Sequence, residues 1–196
     1  LSRVTLDLFY AWSLTTYAEA YSWEIGQRER VESDQPVDLK SWTREQIFAA
    51  ALQAYGEVWA QRQTLDRPAT VLGDFLDRGN YPDEVRGTLR DAATYLLVEL
   101  LANTTYWRAE QSNEVYALDL ASLIAGAPPA AAGVDVTGMD IHPLVRIGAA
   151  LDDLEAWHRA QQRPAAALEA RLERLRRLRA AFTEEVDRTA IDRHLA

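Results

Sequence analysis

Glu155-x-x-His158 is the pair best spaced for chemistry: on a helix it places a carboxylate and an imidazole on one face, as ferritin-like metal sites require. Those sites need two such motifs and further carboxylates, and the chain has no second Glu-x-x-His. The two residues therefore read as a surface or rim pair, and neither a metal nor another cofactor is called for. His142 precedes a proline at a helix start, and His194 falls in a frayed tail, so neither has the setting of a general base.

Glu99 interrupts the run Leu96-Leu97-Val98-Glu99-Leu100-Leu101, where burial would raise its pKa and demand a partner. Tyr95 and Asp91 lie one and two turns earlier on the same helix. The three could form a ligand pocket or an active site, although an apolar helix can also spare one solvent-facing position. Arg171, Arg174 and Arg177, with Arg176 and Arg179, make the one local basic patch and could meet an acidic partner. Glu169 and Glu173 are interleaved with them, and Glu173 to Arg177 has the favourable pairing order, which reads as a solvated, salt-bridged face. Asp152-Asp153-x-Glu155 lacks the spacing of a diphosphate-binding motif. The six tryptophans and eight tyrosines could line a groove, but their helical spacing among Leu and Ala assigns most of them to packing. The sequence contains no dinucleotide or phosphate loop, no nucleophile elbow and no His-Glu-x-x-His.

These side chains must be carried by helices. From about Thr5 to Val31 a helix is expected, with Leu6, Phe9, Tyr10, Leu14, Tyr17 and Tyr21 on its apolar face, before Pro36 breaks the pattern. The next helix starts with a capping box, Thr43 with Gln46, and Trp42 can staple against Ile47. The two should pair antiparallel. A short helix follows around Val71 to Leu76. A strongly apolar one then starts at Pro82 and runs through Val85 and Leu89 to Leu101, and another spans about Glu110 to Ile124. Residues 127–140, rich in Ala, Pro and Gly, read as a linker or loop. His142-Pro143 and Arg163-Pro164 start the two helices of a hairpin, the second carrying Leu168, Leu172, Leu175, Leu178 and Phe182 on its apolar face. A last short helix begins near Thr183.

No segment shows strand-like alternation, so the fold class is all-α: consecutive antiparallel helical hairpins, as an irregular tetratricopeptide-like α-solenoid or a helical bundle. A repeat period is not sustained. The expected organisation is a hairpin array over 1–126, the loop 127–140, and a C-terminal hairpin with a further helix over 141–196, continuous with the first part. With 196 residues and 48% apolar composition the chain can bury a core. Its net charge of −9 disfavours nucleic acid, and no segment is suited to insert in a membrane. Without cysteine there is no disulfide or thiol nucleophile. The apolar helical opening at Leu1 suggests a piece of a longer protein.

The run from Leu8-Phe9-Tyr10-Ala11-Trp12-Ser13-Leu14 through Tyr17-Ala18-Glu19-Ala20-Tyr21-Ser22-Trp23-Glu24 resembles the helical N-terminal region of large bacterial alpha-2-macroglobulin-like proteins, notably myxobacterial ones. Val37-Asp38-Leu39-Lys40-Ser41-Trp42-Thr43, Asn80-Tyr81-Pro82 and Leu151-Asp152-Asp153-Leu154-Glu155-Ala156-Trp157-His158 look like the same region. The resemblance implies an envelope, periplasmic or extracellular multidomain protease trap, with this chain as a helical preface contacting other domains or partner proteins. The family's thioester needs a cysteine, so no family reaction centre carries over. Two expectations follow: a non-catalytic helical scaffold, or an all-α ligand-binding domain or enzyme built around Glu99.

Overall fold

The computed structural model describes residues 2–29, 38–73, 80–126 and 133–195. Local chemistry starts several of the helices. Thr43 accepts from the Gln46 N–H while the Gln46 side chain caps the Thr43 N–H, opening Arg44–Ala60 with the expected box. Thr88 and Asp91 form a second box at the start of Leu89–Ala102. Proline at the first turn opens both Pro143–Ala160 and Pro164–Ala181.

In chain order the α-helices are α1 Ser2–Ala20, α2 Ser22–Ile25, α3 Arg44–Ala60, α4 Asp83–Arg86, α5 Leu89–Ala102, α6 Ala109–Glu114, α7 Leu120–Ala125, α8 Pro143–Ala160, α9 Pro164–Ala181 and α10 Glu185–Leu195. No β-strand forms among the described residues; one isolated bridge joins Pro68 to Thr88. The chain is all-α.

Each long helix packs on its neighbour in sequence: α1 on α3, α3 on α5, α5 on α8, α8 on α9 and α9 on α10. Cross-contacts show the antiparallel sense. Arg3 at the start of α1 reaches Glu57 at the end of α3, and Phe48 early in α3 stacks on Tyr106 after α5. Asp91 early in α5 meets His158 late in α8. One cluster of buried side chains runs from Val4 to Ile191.

Several boundaries differ from the expected ones. The helix foreseen from Thr5 to Val31 is α1 followed by a turn and the single turn α2; residues 30–37 lie outside the described residues. Its buried face is Val4, Leu8, Ala11, Leu14 and Ala18, whereas Leu6, Phe9 and Tyr10 are exposed. This stripe packs on α3, and its two alanines, Ala11 and Ala18, let the helices approach between the aliphatic side chains of Val4, Leu8 and Leu14. Of the short helix expected around Val71 to Leu76, a 3-10 turn over Ala69–Leu72 is seen and residues 74–79 lie outside the described set.

The helix expected from Pro82 to Leu101 is two. Gly87 separates α4 from α5, and a Cβ there would fall 1.9 Å from the Asp83 carbonyl oxygen, so the bend needs glycine. The expected Glu110–Ile124 helix is α6, a 3-10 turn Val115–Ala117, and α7, restarted by the Asp119 cap on Ser122. In α9, Leu168 is 55% exposed and Ala166, Ala167, Glu169, Ala170, Glu173 and Arg174 are buried with Leu175 and Leu178. Within the expected loop 127–140, residues 127–132 are outside the described set. In the remainder, Asp135 accepts from the Thr137 N–H and hydroxyl, and Val136 is buried. Thr137 packs so closely on Gly56 of α3 that an added Cβ would meet its methyl at 2.2 Å.

Candidate interaction groove

α1 and α5 run parallel on either side of α3 and make few contacts with each other, leaving a groove between them. From α1 the wall is Thr5, Leu8, Phe9, Trp12, Thr15, Thr16 and Glu19, the stripe that a 3.6-residue period turns to one side. From α5 it is Ala92, Tyr95, Leu96, Glu99, Leu100 and Asn103. Trp12, Leu96 and Glu99 border both the wider part, about 400 Å³, and a narrower continuation of about 180 Å³ over Tyr55 of α3. The groove is therefore continuous along both helices.

Its wide end is closed by Arg86. The guanidinium lies 3.8 Å from the Tyr81 ring centroid and 3.7 Å from that of Tyr95, and donates to Glu169 at 2.7 Å and Glu173 at 3.3 Å. Burial opposes its charge, yet the Glu169 bond and the surrounding negative groups hold its pKa above the usual value. The Tyr95 hydroxyl is buried without a hydrogen-bond partner among the described residues, and burial drives its pKa up. At the other end burial pushes the Tyr55 phenol up to about 12, against a hydrogen bond with Thr15.

Of the pocket trio considered from sequence, the structure joins two and separates one. Tyr95 and Glu99 line the groove, but Glu99 is exposed on its rim. Asp91 faces α8 instead. Its carboxylate accepts from the Thr88 N–H at 2.9 Å, the Thr88 hydroxyl at 2.8 Å and His158 Nε2 at 2.7 Å. A carboxylate ion only accepts, so Nε2 carries the imidazole proton in that bond. Asp91 thus serves a cap and an interhelical bond, and with His158 it borders a separate cavity of about 580 Å³ on the other side of the helix start. His158 is 1% exposed, contrary to the surface pair expected of Glu155-x-x-His158, because α8 meets α5 along the face that carries it.

Glu155 is also buried, at 6%, and burial raises its pKa despite the adjoining Arg159. It belongs with Arg174, which pairs with Asp152 and Glu155 and donates to the Ile124 carbonyl of α7 at 3.4 Å. Arg174 is 2% exposed, and burial lowers its pKa. The basic patch expected on α9 is thus divided. Arg174 is an internal tie between α7, α8 and α9, Arg171 is half-buried, and Arg177 donates to Glu173 at 2.7 Å. Glu173 and Glu169 lie buried beneath Arg86 and Arg176. His142 stands at the helix start as expected, and its side chain caps it: Nδ1 accepts from the Leu144 N–H at 3.1 Å, leaving Nε2 to donate to the Gln111 carbonyl at 2.8 Å. Burial lowers its pKa.

The groove-lining role of Phe9, Trp12 and Arg86 was not recognised in the sequence. A signal existed, since Thr5, Phe9, Trp12, Thr16 and Glu19 recur at steps of three and four beside the buried stripe. Among the described residues no group of three or more His, Cys, Asp or Glu could hold a metal ion, and no helix is long and apolar enough to cross a membrane. Comparison with known protein families, with curated proteins and with solved structures found no match to this chain.

Proposed function

We propose that this chain is a non-catalytic helical interaction domain of a larger protein, and that the α1–α5 groove receives an apolar segment of a partner protein or of another domain. One observation carries this reading: Phe9 and Trp12, 49% and 52% exposed, stand side by side on the groove wall with their ring centroids 6.0 Å apart. Large aromatic side chains left at a surface in contiguity with an apolar trough are what binding surfaces are made of. The continuous, open shape of the trough suits an extended or helical segment better than an enclosed small molecule. Glu99 on the rim, with Asp91 facing away, breaks up the trio on which the alternative enzyme reading rested.

Panning a display library of helical peptides on the folded domain tests this. Enriched peptides should carry apolar residues at helical spacing and should lose binding to Trp12→Glu and Phe9→Glu variants whose thermal unfolding is unchanged. Peptides that bind those variants equally well would refute the groove as the docking surface. The resemblance to helical prefaces of protease-trapping macroglobulins makes the occupant another part of an exported polypeptide. An open reading frame with an export signal and downstream macroglobulin-like domains is then expected, and its absence would remove that part of the proposal.

A further inference from the structure

Building on the docking reading, we infer that the groove's occupant is a basic amphipathic helix of about four turns, with its apolar face on Phe9, Trp12 and Leu96 and its Lys or Arg residues on Glu19 and Glu99. Three observations converge. The first is length. The α1 wall extends from Thr5 to Glu19, which at 1.5 Å per residue is roughly 20 Å, the length of about fourteen helical residues. The second is the setting: two parallel helices rest on α3 and scarcely touch each other, leaving a trough between two helical ridges into which a third helix packs by the ordinary ridge-and-groove rule.

The third observation is charge. Glu19 and Glu99 border the narrow part of the groove, both are exposed, and neither forms an ion pair among the described residues. Among the described residues the one cation lining the wide part, Arg86, is already engaged by Glu169 and Glu173. The trough therefore offers apolar rings with the Glu19 and Glu99 carboxylates at its edge, neither ion-paired among the described residues, within a chain of net charge −9. Such a surface attracts a cationic amphipathic segment and repels an acidic one of the same shape, chiefly through the rate of encounter and the choice of partner.

Two designed peptides of about fourteen residues test this, identical in their leucine face but with lysine on the polar flanks of one and glutamate on those of the other. Binding to the folded 196-residue chain is read by fluorescence anisotropy of the labelled peptide. The lysine peptide should bind at least about tenfold more tightly, with the difference shrinking as salt is raised. Replacing Glu19→Lys together with Glu99→Lys should abolish or invert the preference. The same change of charge at exposed sites away from the groove, Glu110→Lys with Glu184→Lys, should leave it nearly intact. Trp12→Ser should weaken the lysine peptide on either background.

Loss of preference in the remote-charge variant as large as in the groove variant would overturn the inference, since bulk charge would explain the selectivity. Equal affinity of both peptides, with both weakened by Trp12→Ser, would overturn the basic partner and leave the docking reading standing. Self-association of the chain that Trp12→Ser abolishes would replace the basic helix by a second copy. Absence of binding by either peptide would count against both readings. Each variant alters only exposed side chains, and circular dichroism confirms that it is folded before binding is scored.

Discussion

The outer flank of α1 and the inner flank of α9 treat their side chains in opposite ways. α1 leaves Leu6, Phe9, Tyr10 and Trp12 exposed, whereas α9 places Glu169, Glu173 and Arg174 in the interior. Hydropathy alone gives only part of each buried face: Leu14, Leu175, Leu178 and Phe182 turn inward, whereas Leu6, Phe9, Tyr10 and Leu168 do not. On α1 the closest contact is with α3, and the buried stripe of α1 there is aliphatic, Val4, Leu8, Ala11, Leu14 and Ala18. On α9 the neighbours are helices that themselves carry charge, Arg86 of α4 and Asp152 and Glu155 of α8, so acids and guanidinium groups enter as mutually neutralising sets. The lesson is that what a facing surface can accommodate decides burial.

The sharpest way to break this contrast is to remove the cation from the α9 side. Arg174→Ala leaves Asp152 and the buried Glu155 without their internal guanidinium, and should cost about 3–5 kcal/mol in urea-induced unfolding. A cost below about 1 kcal/mol would mean that the cluster is solvated after all. Next in size is the α5–α8 tie: His158→Leu strips Asp91 of one buried partner and should cost about 1–3 kcal/mol by the same measurement.

The groove floor can be probed by alkali. Tyr55 has its pKa raised from 10.0 to about 12 by burial, so over that interval the folded chain holds a proton that the unfolded chain has released. Stability should therefore fall as pH rises from 10 towards 12, and Tyr55→Phe should flatten that fall by about 1 kcal/mol in unfolding free energies compared at pH 9 and pH 11. An identical slope in the variant would show that the floor beneath α1 is wet. The smallest effect is expected on the exposed flank. Trp12→Ser should shift stability by less than about 1 kcal/mol, seen as a nearly unchanged thermal midpoint. A large loss would make Trp12 a core residue and erase the difference between the two flanks.

Much of the architecture was legible because its causes are local. The Thr43–Gln46 box, the prolines after His142 and Arg163, and the lack of strand alternation act over a few residues and survive in any context. Tyr95 and Glu99 could be placed on one side of a helix from their spacing alone. Other features depended on remote groups. Gly87 divides an apparently continuous helix because of how the chain bends over Asp83, and the apolar pattern of Val85 and Leu89 reads smoothly across it. His158 looked superficial because its partner, Asp91, lies 67 residues away, and Arg174 looked solvated because Asp152 and Glu155 belong to another helix.

Composition, capping residues and helical periodicity thus determined the class, most helix starts and the order of antiparallel neighbours, since backbone hydrogen bonding and amphipathic spacing are properties of short stretches. Tertiary packing alone decided which stripe of each helix turned inward. A helix can present several partly apolar faces, and only the volume and charge of the surface it meets select among them. That selection left Phe9 and Trp12 beside a groove and closed Arg174 within the interior.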